Sequence, residues 1–332
     1  MKDWTIDLYR FDLNTNVTTA DNNTTPPLND LSPTMKTFYK TSLLENARNE
    51  HYFNQFGQRQ PLPKNNGKKV EWRKFDTFAK ALTPLTEGVT PDGNKVNMTK
   101  IEKEIEQYGD YTTVSDRLEL EAVDPIITAI TEEHGAQAGD TLDTITRNEV
   151  ITGTNVIYAG GQASRANLTS SHKLTPALVN QAFTFLKKMK APTINGCYIA
   201  IIHPSVAYDL RESTEWLDVH KYAQPAEIYN GEIGKLHNVR FIESTEQKIW
   251  VTTNGAVYAT TFFGKDAWGI IDPTAESLEV IVKQRGSAGT ADPLDQRSTV
   301  GWKASHAAKI LYQERLVRVE SGSFYSATDT AN

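Results

Sequence analysis

One cysteine, Cys197, in 332 residues excludes an internal disulfide framework and suits a reducing compartment. Its apolar flank, Tyr198-Ile199-Ala200, reads as a buried strand thiol and not a reactive one. No stretch approaches the roughly 18 consecutive apolar residues of a membrane span. The opening MKDWTIDLYR lacks the apolar core of a secretory signal. Basic residues are in deficit: 35 Lys and Arg against 41 Asp and Glu leave a net charge of −6. That balance argues against a dedicated nucleic-acid binder, which carries a basic face. It does not argue against a container, because a neutral or acidic lining avoids binding the polymer to the wall. Hydrophobic residues make up 39% of the chain, enough at this length for a sizeable core in two domains or one elaborated domain.

Local catalytic motifs are also missing. The seven histidines are scattered and form no HExxH or comparable ligand pair. Glu132-Glu133-His134 puts adjacent helical residues on different faces, and Asp140 and Asp143 follow Gly139, where helix-start carboxylates are common. A metal-dependent enzyme built on His134, Asp140 and Asp143 ranks third among the readings. There is no GxSxG elbow, no dinucleotide fingerprint and no EF-hand loop. The segment from Asn230 to Ser244 suggests a phosphate loop, but only two residues stand between Gly231 and Gly234 and Lys235 precedes Leu236, so the Walker spacing fails. Glu232 would set a carboxylate beside any phosphate gripped by a GXXG clamp. The segment reads as a glycine-bounded turn feeding a strand from Val239 to Ile242. A nucleotide- or nucleic-acid-binding protein using the Gly231–Lys235 turn remains the alternative from another class. No enzyme, cofactor or metal is expected.

What is present is extended and polar. Residues 1–60 are rich in Asn, Thr and Asp, with too little apolar surface to repay their ordering. Tyr9 and Phe11 are candidate docking anchors within them. Residues 68–82 and 98–116 read as two arms of a long hairpin around a turn-rich stretch holding Pro84, Gly88, Pro91 and Gly93. Ile101 and Ile105 alternate with Glu102, Glu104 and Glu106, facing a first arm that carries Lys68, Lys69, Arg73 and Lys74. An arm of ~15 residues spans roughly 50 Å, and an isolated hairpin is marginal in water. Trp72, Arg73, Lys74, Glu102, Glu104 and Glu106 are therefore candidate contacts to another molecule.

Further on, Asp124-Pro125, Thr175-Pro176 and His203-Pro204 mark helix entries. An imperfect apolar stripe to Ile151, interrupted by Gly135 and Gly139, predicts one long bent helix or two consecutive ones. Residues 176–190 form a clean amphipathic helix. Residues 197–202, CYIAII, predict a central strand, and Asn254-Gly255 a hairpin turn. The class is α+β.

GEIGKLHNVRFIES (231–244), GKDAWGIIDP (264–273) and DPLDQRSTVGWKASHAAKILYQERLVRVE (292–320), taken in order, resemble the major coat proteins of tailed bacteriophages. The similarity is greatest to the podophage-type branch and spans about residues 68–319. It implies the Hong Kong 97-like coat-protein fold: an N-terminal arm at 1–60, an extended β-hairpin loop at 61–118, and a peripheral domain with a long spine helix at 119–150 and 265–320. An axial domain at 151–264 and a C-terminal tail at 321–332 complete it. Function would then be assembly of pentamers and hexamers into an icosahedral shell around double-stranded DNA, without sequence specificity. Separate scaffolding and portal proteins, and decoration proteins, are the implied partners. The implied place is the virion capsid, built in the host bacterial cytoplasm. No acidic helical scaffolding segment precedes the arm, which implies no proteolytic maturation of that end. An encapsulin-like cargo compartment is the nearest structural alternative.

Overall fold

The computed structural model describes Asn16–Val17 and residues 52–332, with breaks at 64–66, 86, 89, 91–92, 94, 122–125, 215, 217–231, 274–277 and 288–291. Tyr9, Phe11 and the Asp124-Pro125 helix entry lie outside the described residues.

Two sheets and a hairpin carry the strands. The first sheet contains β1 (Asn16–Val17), β2 (Gln58–Leu62), β5 (Glu106–Ser115), β12 (Trp268–Pro273), β13 (Glu279–Lys283) and β14 (Arg297–Ile310). Its order is β1-β5-β14-β12-β2, with β13 also on β14. β14 runs antiparallel to β5 from Arg297 opposite Ser115 to His306 opposite Glu106. Its other edge serves β13 and then β12. The second sheet holds β6 (Val156–Tyr158), β7 (Tyr198–Ile202), β8 (Glu232–Leu236), β9 (Val239–Glu243), β10 (Ile249–Thr252), β11 (Gly255–Phe263) and β15 (Leu316–Ser321). Its order is β6-β15-β11-β7-β9-β8, with β10 on β11.

β7 is central and every residue in it is buried, as an apolar run between two neighbours requires. Cys197, beside it, is buried too. Asn254-Gly255 makes the expected turn between β10 and β11. Over 232–235 the expected turn is instead a strand: β8 pairs antiparallel with β9 through a bulge at Gly234. The reversal falls on His237 and Asn238, both at positive φ, where Asn in particular sits at modest cost.

The helices are α1 (Tyr52–Phe56), α2 (Asp116–Glu121), α3 (Ile126–Ile151), α4 (Pro176–Lys188) and α5 (Pro204–Arg211). α3 is one helix of 26 residues, about 39 Å long. Its buried stripe comes in doublets, 134–135, 138–139, 142–143 and 146–147, and includes both glycines. The stripe looked imperfect in sequence because His134, Asp143, Thr146 and Arg147 are buried within it. Thr175 caps α4 by accepting from the Leu178 amide, with Pro176 in its first turn. His203 caps α5 through Nδ1, which accepts from Ser205 N at 3.2 Å.

One apolar cluster joins the two sheets. Ile199, Ile201 and Phe263 from the second pack with Trp268, Ile270, Ala308 and Ile310 from the first, closed by Phe53 and Val150. Sheet membership cuts across the expected segments. Residues 316–321 lie in the second sheet, while 16–17, 58–62 and 106–115, expected in the arm and the loop, lie in the first.

Candidate assembly interface

The hairpin is β3 (Lys69–Phe75) paired with β4 (Met98–Glu104). Each strand has seven residues, about 23 Å, so the ladder is half the expected length. It stops at Ile105, whose amide donates to Lys68 O at 2.9 Å, and the chain passes directly into β5. Beyond the ladder, the described residues between 76 and 97 are irregular, and Phe78, Leu82, Leu85 and Val96 among them stand in the open, flanked by Phe75 and Met98.

The two faces of the ladder differ. Val70 is buried with Ile271 and Ala307, and Trp72 lies against Gly269, where a Cβ would come within 2.8 Å of the indole. Lys74 reaches Glu314 at 3.3 Å and sits 4.7 Å over the Tyr312 ring. The opposite face carries Lys69, Glu71, Arg73, Lys100, Glu102 and Glu104. Complementary arm pairing appears only at the base, where Lys69 faces Glu104. Higher up, Glu71 faces Glu102 and Arg73 faces Lys100, like against like. Cross-strand pairs (Lys100 to Glu71 at 2.8 Å, Lys68 to Glu104) and same-strand pairs two residues apart (Arg73 to Glu71 at 2.7 Å, Lys100 to Glu102) relieve this. Hydrogen bonds from Lys100 and Arg73 hold the Glu71 carboxyl below its ordinary range, and that from Lys68 does the same for Glu104.

Of the candidate contact residues, Trp72 and Lys74 therefore touch their own chain, and Glu106, in β5, accepts from Tyr108 Oη at 2.7 Å. Arg73, Glu102 and Glu104 remain on the outer face.

A second surface was not anticipated. The face of the first sheet turned away from α3 holds a groove of about 580 Å³, lined by Gly109, Tyr111, Ile281, Lys283, Gly301 and Lys303 among others. A Cβ on Gly301 would lie 2.7 Å from Asp110 O, so the floor stays low only with glycine. Tyr111, directly opposite Gly301, is 69% exposed. The glycines at 109 and 301 were the available signal, but they become neighbours only through register.

Among the described residues no three His, Cys, Asp or Glu side chains gather to hold a metal. Asp143 accepts from two backbone amides and His134 from or to Gln137, so neither shares a centre with the other. Lys235 lies in a strand whose partner is β9, not in a phosphate loop.

The described fold is a sheet crossed by one long helix, a second sheet on a shared core, and a hairpin packed by one face on the first. The family model for phage capsid proteins matches residues 99–319, and the chain belongs to that family. No curated protein matches it in sequence. The fold is the Hong Kong 97-like fold of solved capsids. The capsid protein of Ralstonia phage GP4 is 11% identical with a TM-score of 0.65, over 83% of this chain and 89% of that one. For cyanophage Pam1 the figures are 13% and 0.63, over 99% and 100%. The virus-like particle of Pyrococcus furiosus is similar at 12% and 0.51, over 86% and 99%.

Proposed function

We propose that this chain is a major capsid protein whose copies assemble as pentamers and hexamers into an icosahedral shell around double-stranded DNA. The observation that carries the reading is the hairpin tip. Leu82 and Leu85 are 82% and 79% exposed, with Phe78 and Val96 beside them. A run of open apolar side chains on a projecting segment marks an interaction site. The tip of one copy lies on the next, with the groove over Gly109 and Gly301 as its receiving surface. Arg73, Glu102 and Glu104 flank that contact, and Tyr9 and Phe11 anchor the arm. The role is structural, without catalysis. Scaffolding, portal and decoration proteins are its partners, the DNA contact has no sequence specificity, and assembly takes place in the host cytoplasm. The division into arm, loop, peripheral and axial domains is kept as part of this proposal, with 106–115 moved to the peripheral part and 316–321 to the axial part.

Sedimentation and negative-stain microscopy of the purified chain, alone and with a candidate scaffold, test this. Wild type forms rings or closed shells, and the double variant L82D/L85D remains monomeric with an unchanged circular-dichroism spectrum. Equal assembly by the variant would sink the tip contact. An encapsulin-like cargo compartment is the alternative with less support, since most of the matched structures are phage capsids and one is a virus-like particle of Pyrococcus furiosus. Shells that protect protein, and no DNA, from digestion would establish it.

A further inference from the structure

Asp143, on α3, is 1% exposed. Its Oδ1 accepts from the amides of Phe53 at 2.7 Å and Asn54 at 3.0 Å, the first turn of α1. Thr146, one turn along α3, donates to Asn54 Oδ1 and meets His306 Nε2 at 2.8 Å. α1 is thus held to α3 by buried polar contacts as well as by Phe53. The other carboxylate oxygen, Oδ2, is buried with no hydrogen-bond partner among the described residues. An ionised carboxylate in that position loses its hydration without replacement, so burial favours the neutral acid. The pKa of Asp143 is accordingly pushed up to about 7. Asp140, on the same helix, acts in the same direction. The hydrogen bonds from the Asn54 and Phe53 amides act against this rise, and Arg147 does so more weakly, its guanidinium also serving the Glu246 backbone carbonyl and carboxylate; burial outweighs all three. β14 contributes His306 through Thr146, and α1 itself (YFNQF) brings no charged side chain.

We propose that the docking of α1 on α3 is a proton-linked latch, closed while Asp143 keeps its proton and loosened when it ionises. Undocking returns the carboxylate to water, where its affinity for a proton drops to the ordinary value. The bound proton therefore belongs to the docked state, and a raised pKa contributes docking stability that is full below about pH 4. That contribution is lost as pH rises to about 7 and changes little above. The latch therefore sets how firmly α1 itself is held on α3. Its meaning for shell assembly rests on the reading above, but the latch itself does not, and the unassembled chain tests it.

The experiment is hydrogen exchange by mass spectrometry on a peptide spanning 52–56 of the full chain, corrected for intrinsic rates. Protection is expected to fall roughly tenfold between pH 6 and pH 8. Asp143→Asn keeps an acceptor for both amides and is expected to flatten the profile, whereas His306→Gln is expected to leave it unchanged. A flat wild-type profile overturns the latch. So does a slope that survives in Asp143→Asn or disappears in His306→Gln. Should Asp143→Asn fail to fold, Asp140→Asn is expected to move the fall to lower pH, and an unmoved fall overturns the proposal.

Discussion

Glu320 shows how much a single side chain can hold. It has no exposed surface, and Arg165 grips it with two bonds of 2.7 Å while Arg318 adds a third of 2.7 Å. The Arg165 guanidinium stacks 3.5 Å from the centroid of Trp250. Removing the carboxylate strands a buried Arg318, so Glu320→Ala is expected to cost about 3–5 kcal/mol. The check is a lower urea midpoint at an unchanged slope. Arg165→Ala is expected to cost less, because Arg165 is a third exposed and Arg318 continues to hold the acid. None of this is legible locally. Arg318 and Glu320 alternate with Val317 and Val319 as on a strand with one wet face, yet all of β15 is buried. The partner that makes burial tolerable is 155 positions away.

Among the elements, those specified by adjacent residues were the readable ones. Thr175-Pro176 with the stripe after it predicts α4, and the apolar run 197–202 predicts β7. Elements set by distant partners were not. The hairpin ladder ends at Ile105 because β14 takes over the strand that follows, and no local residue announces that exchange. The C-terminal segment is another such case. Asp329 accepts from Tyr258 Oη at 2.6 Å and Ser326 Oγ at 2.6 Å, and more weakly from Ser205 Oγ at 3.2 Å. Ala327 O accepts from the Ala256 amide at 2.9 Å. The hydrogen bonds from Ser326 and Tyr258 hold the Asp329 carboxyl below its ordinary value. A depressed pKa contributes stability present above the ordinary carboxylate value and lost as pH falls through the depressed one. Acidification from pH 7 to pH 3 is therefore expected to lower the protection of 322–332, with rates corrected for intrinsic exchange, before that of β11. Asp329→Asn is expected to loosen the segment already at neutral pH. A tail that stays protected in both cases would contradict the assignment.

At the scale of the whole molecule, the cluster around Phe263, Trp268 and Ile310 belongs to both sheets at once. The two sheets are therefore expected to unfold together, with tryptophan fluorescence and far-ultraviolet circular dichroism tracing one coincident urea transition. Trp268→Ala is expected to lower its midpoint by about 3–5 kcal/mol worth of stability without splitting it. Two separated transitions would show the sheets to be independent. The passage of β4 through Ile105 straight into β5 has a mechanical side. A pull transmitted through Ile105 in the direction of β5 would load that strand along its axis, and its bonds to β14 lie across that axis. The register from Glu106 to Ser115 is loaded lengthwise, all its bonds sharing the strain, so it resists as a lap joint and cannot be peeled open one bond at a time.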